Sequence, residues 1–330
     1  MTEHTALPAY AELHCLSNFS FLRGASHPEE QVVRAHQLGY NALALTDECS
    51  FAGVVRAHAA AKECGLPLIL GSEIRLADGP KLVLLATDRE GYGNLSELIT
   101  RGRRRGMKGR YILETRDLDQ GLPGCFALLL PGAIPDVAQA RWLAERFTGR
   151  AWIAAELLCG PNDRARLATL RELGASSSLP LVAAGDVHMH VRSRRKLQDM
   201  LTAIRLCKPV ALCGRELYPN AERHLRLRLR LANLYPRELL EETGFAADEW
   251  LQIGVVQPNP AIQSNRCTTF LAKHCRQVAE TRFDTTEECV LRLVPAEAAA
   301  DLIRDGRIDH AIVIAALSFA FLHGHLPTKS

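Results

Sequence analysis

The run Leu181-Val-Ala-Ala-Gly-Asp186-Val-His188-Met-His190 carries a short apolar strand directly into three groups able to bind a metal or move a proton. Asp and His two positions apart at a strand end project to the same side of the chain, so Asp186 and His188 can share one ion or one phosphate. The same spacing also suits a strand end whose polar residues simply meet water.

Working outward, short apolar runs alternate with longer amphipathic ones, the pattern of a βα repeat with a parallel sheet. Strands are predicted over 10–14, 42–47, 66–73, 82–87, 126–130, 152–156 and 181–186. Helices are predicted over 28–38, 52–64, 91–105, 137–147, 163–173 and 193–206, with Pro28 as a start signal and Gly39 and Gly65 as stop signals. Seven strands with crossover helices suit either a distorted β/α barrel or an open doubly wound sheet. The barrel is favoured by where the polar residues fall: His14, Asp47, Glu73, and Asp186 with His188 each close an apolar run. In a β/α barrel the C-terminal strand ends share one mouth, so these five groups converge there.

The composition fits a globular chain large enough for about two domains. Of 330 residues, 47% are apolar and 23% charged, and a formal charge of +3 is too small to imply nucleic acid unless it is locally clustered. The ten cysteines contain no C-x-x-C pair, which points to reduced residues of a cytoplasmic protein and away from a disulfide scaffold or zinc ribbon. No signal peptide or membrane-spanning run is visible.

Local clustering does occur. Arg101, Arg103, Arg104, Arg105, Lys108 and Arg110 form one basic group, and Arg192, Arg194, Arg195 and Lys196 a second; both suit a phosphate backbone, the first as a mobile glycine-bearing loop. The alternation Arg226-Leu-Arg-Leu-Arg230 reads as a third basic segment or as an edge strand.

The stretches Ala11-Glu-Leu-His-Cys-Leu-Ser-Asn-Phe-Ser-Phe-Leu-Arg-Gly-Ala-Ser-His-Pro-Glu-Glu30, Ala44-Leu-Thr-Asp-Glu-Cys-Ser50, Gly71-Ser-Glu73, Arg89-Glu-Gly-Tyr-Gly-Asn-Leu95 and Ala184-Gly-Asp-Val-His-Met-His-Val-Arg-Ser-Arg-Arg195 resemble the N-terminal PHP (polymerase and histidinol phosphatase) domain of error-prone, DnaE-like bacterial DNA polymerases. The resemblance runs from about Tyr10 to Leu234. It implies a seven-stranded β/α barrel, a role in DNA repair synthesis across lesions, and DNA and translesion-synthesis accessory proteins as partners. Metal-holding PHP domains carry His-x-His, Thr-Asp-His, Gly-x-Glu and Asp-x-His motifs. This chain keeps His14, Asp47, Glu73, Asp186 and His188 but has Leu16, Glu48 and Lys81 where further histidine ligands stand. The expectation is a degenerate, non-catalytic barrel, with one residual divalent ion (Zn, Mn or Mg) as the alternative and a metal-dependent phosphoesterase as its functional form. No palm carboxylates follow Leu234.

At Arg237-Glu-Leu-Leu-Glu-Glu-Thr-Gly-Phe245 the character changes. A helix here gathers Glu238, Glu241 and Glu242 on one face, where they repel unless a hard cation sits among them. The string resembles the second half of a Nudix box. The segments Leu251 to Ala261, Asn265 to Ala272, Asp284 to Glu288 and Ile303 to Ala311 resemble the C-terminal half of a Nudix hydrolase of ADP-ribose pyrophosphatase type, implying magnesium on the three glutamates and Glu287 or Glu288 as base. The first half of the box is missing, since Arg223 and Leu229 stand where its Gly and Glu belong. The expectation is therefore an α/β chain of two parts, a PHP barrel over 1–234 and a truncated, partial α/β Nudix-like segment over 235–330, with a Nudix pyrophosphohydrolase as a third functional alternative.

Overall fold

A computed structural model describes residues 8–241, 251–256, 267–271, 295–305, 307–308 and 311–322. The chain divides into two compact units, Pro8–Ala246 and a second made of Met1–Leu7 with Ala247–Ser330.

All seven expected strands form in the first unit. Strand β1 is Ala11–Glu12, followed by helix α1 (Pro28–Gln37), β2 (Ala42–Leu45), α2 (Val54–Cys64), β3 (Leu68–Arg75), β4 (Lys81–Ala86), α3 (Arg89–Arg105), β5 (Cys125–Leu129), α4 (Val137–Arg146), β6 (Ala151–Glu156), α5 (Asp163–Ser177), β7 (Leu181–Ala184), α6 (Arg195–Leu206), α7 (Val210–Cys213), α8 (Arg228–Leu234) and α9 (Arg237–Glu241). Helices α3 and α4 start where a side chain can satisfy a free backbone N–H group: Asp88 accepts from the Gly91 N–H at 2.7 Å, and Asp136 from the Ala138 N–H at 2.8 Å.

The strands run side by side in sequence order. Between β7 and β1 the ring is drawn together by a bridge in which the Leu16 N–H donates to the Val187 carbonyl at 2.8 Å and the Val187 N–H to the His14 carbonyl at 2.9 Å. The arrangement is a nearly closed barrel. The expectation of a wholly parallel sheet needs one correction: β4 is antiparallel to both β3 and β5. Only residues 76–80 separate β3 from β4, far short of the dozen or more that a parallel crossover requires, and Asp78-Gly79-Pro80 turns the chain back.

Two cores follow from strand alternation. One joins strand residues such as Leu43, Leu82 and Ile153 to helix residues such as Val32, Leu95, Leu143 and Leu170, and so lies between the barrel and its helices. The other consists of residues in the strands or directly following them, including Ala11, Ala44, Val83, Leu128, Ala154, Val182 and Ala184, and fills the interior. Its alanines leave room for charged side chains beyond the strand ends. Glu73, Glu156 and Asp186 continue the inward alternation of Ile69, Ala154 and Val182, which aims them into the mouth.

Two further expectations are corrected. Arg226 to Arg230 is not an edge strand: α8 begins at Arg228, and Arg226 is 1% exposed, its Nη1 donating to the Leu157 carbonyl at 2.7 Å. Arg101 to Arg105 do not lie in a loop; they form the last turns of α3. The core also continues past Leu234. Tyr235, Leu239 and Leu240 are buried in it, and the Tyr235 hydroxyl donates to the Ala184 carbonyl at 2.8 Å while accepting from the Leu157 N–H at 3.0 Å.

In the second unit, β8 (Leu251–Val256) pairs antiparallel with β9 (Cys267–Leu271), and α10 (Ala299–Arg304) precedes the apolar α11 (Ala311–Leu322), which packs on both strands. Glu242, Glu287 and Glu288 of the Nudix-like expectation lie outside the described residues. Among the described residues no helix is long and apolar enough to cross a membrane.

Candidate metal centre at the barrel mouth

The five residues expected to converge lie at the same end of the barrel but divide into three groups. His14, Glu73 and Asp186 meet, with ligand atoms within 4.8 Å of one another, a set that can hold a metal ion. His14 is the hub: Nε2 lies 3.0 Å from Glu73 Oε2, and Nδ1 lies 2.6 Å from Glu156 Oε1 and 3.8 Å from Asp186 Oδ1. Burial lowers the His14 pKa, but the hydrogen bond and charge of Glu156, then Glu73 and Asp186, outweigh it and raise it to about 10. Without an ion, these carboxylates favour the protonated imidazole, whose two nitrogens then donate to Glu73 and Glu156.

Asp47 stands apart. Its Oδ1 accepts from the Ser17 N–H at 2.8 Å and from the Ser20 hydroxyl at 2.7 Å, while Oδ2 accepts from the Ser17 hydroxyl at 2.6 Å. Burial pushes the Asp47 pKa up, against these hydrogen bonds. The carboxylate is the anchor of the loop over 17–24, whose N–H groups at Arg23 and Gly24 also return to the Ser20 carbonyl at 2.9 and 3.1 Å.

His188 pairs only with its near neighbour, Nε2 lying 2.9 Å from Asp186 Oδ1, and its ring meets Tyr218 edge-on at 5.4 Å. Among the described residues its buried Nδ1 has no hydrogen-bond partner, and burial lowers its pKa to about 4 despite Asp186. The backbone that presents this pair is unusual. Asp186 has φ +45°, and a Cβ on Gly185 would come within 2.2 Å of Glu12 Oε2, so a larger residue there would force the Glu12 carboxylate to shift.

Three cations sit on these carboxylates. Arg23 reaches both oxygens of Glu73, at 2.5 and 3.0 Å, and Glu48 Oε2 at 2.6 Å; Lys81 Nζ lies 2.8 Å from Glu73 Oε2. Arg223 Nη1 lies 3.0 Å from Asp186 Oδ2, with its guanidinium 4.2 Å above the Tyr218 ring. Burial raises the Glu73 carboxyl, yet His14, Arg23 and Lys81 together hold it well below the usual carboxylate range. Asp186 is likewise held down by Arg223, His188 and His14 against its burial. Arg23, Lys81, Arg223 and protonated His14 thus face Glu48, Glu73, Glu156 and Asp186, four charges against four.

By residue type, one imidazole and two carboxylates suit a divalent ion. Here the same atoms are already engaged, Glu73 by Arg23 and Lys81 and Asp186 by Arg223 and His188, so an ion at His14, Glu73 and Asp186 would have to displace these partners. Two of the three positions that lack a ligand histidine explain part of this: Lys81 delivers a charge to Glu73, and Glu48 takes up Arg23. Arg23, Glu156 and Arg223 were missed. Glu156 ends its strand as Asp47 nearly does, which was a usable signal, whereas nothing local marks Arg23 or Arg223 as reaching the mouth.

The basic clusters also divide. Arg105 Nη1 bonds Asp117 at 2.6 and 2.8 Å, and Arg101 pairs with Glu97 at 2.9 Å. Arg192, Arg194 and Arg195 lie 3.9, 2.5 and 2.6 Å from Glu222, Glu30 and Asp199. Arg103 donates to the Cys49 and Glu48 carbonyls at 3.0 and 2.9 Å. Arg104, Lys108, Arg110 and Lys196 are exposed. Of the acidic trio beyond residue 237, Glu238 pairs with Arg171 at 3.0 Å on the surface, and the side chain of Glu241 lies outside the described set, as does Glu242.

Residues 12–156 match the family model of the PHP domain. Over those residues the barrel is similar to a PHP domain. Over 243 residues, 72% of this chain, it is 61% identical to an error-prone DNA polymerase of Dechloromonas aromatica, and over 244 residues 58% identical to one of Methylococcus capsulatus. The alignments cover 24% and 23% of those proteins, so the chain spans about a quarter of the curated relatives it matches. Among solved structures, an amidohydrolase from Chromobacterium violaceum is similar with a TM-score of 0.42 at 17% identity, covering 55% of this chain and 88% of that one.

Proposed function

We propose that this PHP barrel is a non-catalytic module of an error-prone DNA polymerase, which supports the polymerase and contacts DNA or an accessory protein of translesion synthesis in the cytoplasm. The single observation that carries the non-catalytic part is the grip of Arg23 on Glu73, reinforced by Lys81. A guanidinium supplies fixed positive charge to the carboxylates but has no open position at which to activate water, as a catalytic metal does. The identity to polymerases across the barrel supports the rest.

The competing reading is a phosphoesterase with a divalent ion on His14, Glu73 and Asp186, favoured by their mutual approach within 4.8 Å. One experiment separates the two. The full chain is dialysed against a chelator, its metal content measured, and hydrolysis of p-nitrophenyl phosphate followed with manganese and zinc restored. The proposal expects no retained metal and no rate above buffer. Tightly held metal together with hydrolysis abolished by Asp186→Asn would overturn it.

A further inference from the structure

Beside the mouth, sharing Glu48 with its ion network, lies a cavity of about 820 Å³ bounded by the loop over 17–24, the end of β3 and the turn after α3. Its volume falls in the range of about 300–1,000 Å³ that accepts a nucleotide-sized ligand. Phe19, Phe21, Arg75, Arg103, Arg110 and Tyr111 contribute to its walls, with Glu48 as the carboxylate among its lining residues.

That carboxylate is already engaged: Arg23 holds Oε2 at 2.6 Å and the Tyr111 hydroxyl donates to Oε1 at 3.2 Å. Arg75 and Arg110 are exposed, and among the described residues neither forms an ion pair. The cavity is thus cationic, with two arginines whose charge is unspent. It is also preorganised. Tyr111 is pinned by the Arg75 N–H at 2.9 Å and lies 5.4 Å beneath the Arg103 guanidinium. Arg110 sits at the end of a turn in which its N–H donates to the Met107 carbonyl at 2.8 Å and Gly109 takes φ +82°, a conformation costly for other residues.

Phe21 is 82% exposed although its loop is tied down before it by Asp47 at Ser17 and Ser20, and after it by the Arg23 and Gly24 N–H bonds to the Ser20 carbonyl. The loop even holds Leu22 at φ +59°, outside the common regions, while presenting this ring to solvent. A rigidly held, solvent-facing aromatic beside unpaired arginines is the combination that binds single strands: the ring stacks on a base and the arginines take the phosphates. A duplex keeps its base faces stacked and offers Phe21 no partner.

We propose that this cavity binds single-stranded nucleic acid, with one unstacked base on Phe21 and the adjoining phosphates on Arg75 and Arg110. It rests on the polymerase reading only for the strand being DNA. The chemistry shared by DNA and RNA is what the residues recognise.

The test is fluorescence anisotropy on the full chain with a labelled oligothymidylate of about a dozen nucleotides, within the usual range of single-strand site sizes. Matched oligouridylate, abasic and duplex probes run beside it. Phe21→Ala should weaken oligothymidylate binding about tenfold and leave the abasic strand unchanged. Arg75→Ala and Arg110→Ala should weaken both strands, each lowering the salt slope by about 0.7. Arg164→Ala, an exposed arginine of α5 outside the cavity, should change nothing. Tighter binding of oligouridylate than oligothymidylate assigns the strand to RNA. Equal affinity of the three cavity variants and the wild type, or equal affinity for duplex and single strand, overturns the proposal. Neither result depends on metal at the mouth, so a failure here is distinct from a failure of the non-catalytic reading.

Discussion

Arg23 grips Glu73 through both terminal nitrogens of its guanidinium, at 2.5 and 3.0 Å, in a setting where Glu73 is 1% and Arg23 15% exposed. Breaking one side of a buried pair strands the other charge, which costs about 3–5 kcal/mol. Arg23→Ala should therefore lower stability by about that much, since Lys81 and His14 compensate Glu73 only in part. It also frees the donors of Glu48 and Glu73. Millimolar manganese or zinc should then raise the urea midpoint of the variant more than that of the wild type. A variant with an unchanged midpoint, or an equal metal effect on both proteins, would show that Arg23 does not hold the mouth.

Asp47→Asn tests the loop anchor. The carboxylate accepts from three donors, and an amide presents N–H groups of its own to some of them, leaving buried donors unpaired at about 1–3 kcal/mol. Backbone amides over 18–24 should exchange faster with solvent, while those of β4 and β5 keep their protection. Unchanged exchange across that loop would mean the anchor lies elsewhere.

These two variants also mark how far the sequence could be read. The strands and helices were legible because their periodicity is strong, and the mouth because Asp, Glu and His closed successive apolar runs. The partners were not legible. Asp47 and Glu73 end their runs in the same manner, yet one anchors a loop through Ser17 and Ser20 while the other takes Arg23, and only the tertiary path of the loop decides which. Arg223 lies 37 positions from Asp186, brought back by the backbone bonds in which its carbonyl accepts from the His188 and Met189 N–H groups at 2.9 and 3.1 Å. In the basic runs, Asp117 and Glu30 neutralise arginines from positions that clustering alone does not reveal. The reversal of β4 was available from Asp78-Gly79-Pro80 and the short connection, and regular βα alternation hid it.

Stability should peak near pH 6.5–7 through three histidines, a window set by the ordinary histidine pKa of about 6.5. His14 is raised to about 10, so its contribution is complete below about pH 6.5 and is lost as pH rises towards 10. His188 and His224 are lowered to about 4, chiefly by burial, so the unfolded chain takes up protons that the folded one refuses, and stability falls as pH drops from about 6.5 to 4. The loss is on the order of 5 kcal/mol for His14 and on the order of 3 kcal/mol for each of the other two. His224→Gln should flatten the acid limb of urea midpoints over that interval and leave the alkaline limb alone. An acid limb unaltered by the substitution would remove His224 from the account.

The last prediction concerns where the barrel ends. Leu239 and Leu240 are 4% and 1% exposed within the core that Tyr235 enters, and the Tyr235 hydroxyl ties the ends of β6 and β7 together. Losing a buried leucine costs about 2–5 kcal/mol, so removing both together with Tyr235 exceeds the stability of most domains. A chain stopped after Ala246 should fold with the barrel's own urea midpoint, and one stopped after Leu234 should be unfolded or molten by near-ultraviolet circular dichroism. Limited proteolysis of the full chain should correspondingly leave a fragment whose mass places its C-terminus beyond Glu241. The sequence puts the boundary at 234, where the resemblance to the PHP domain ends and the Nudix-like string follows, but the leucines among the glutamates face inward. Equal midpoints for the two shortened chains would restore that earlier boundary and make α9 an ornament on the barrel.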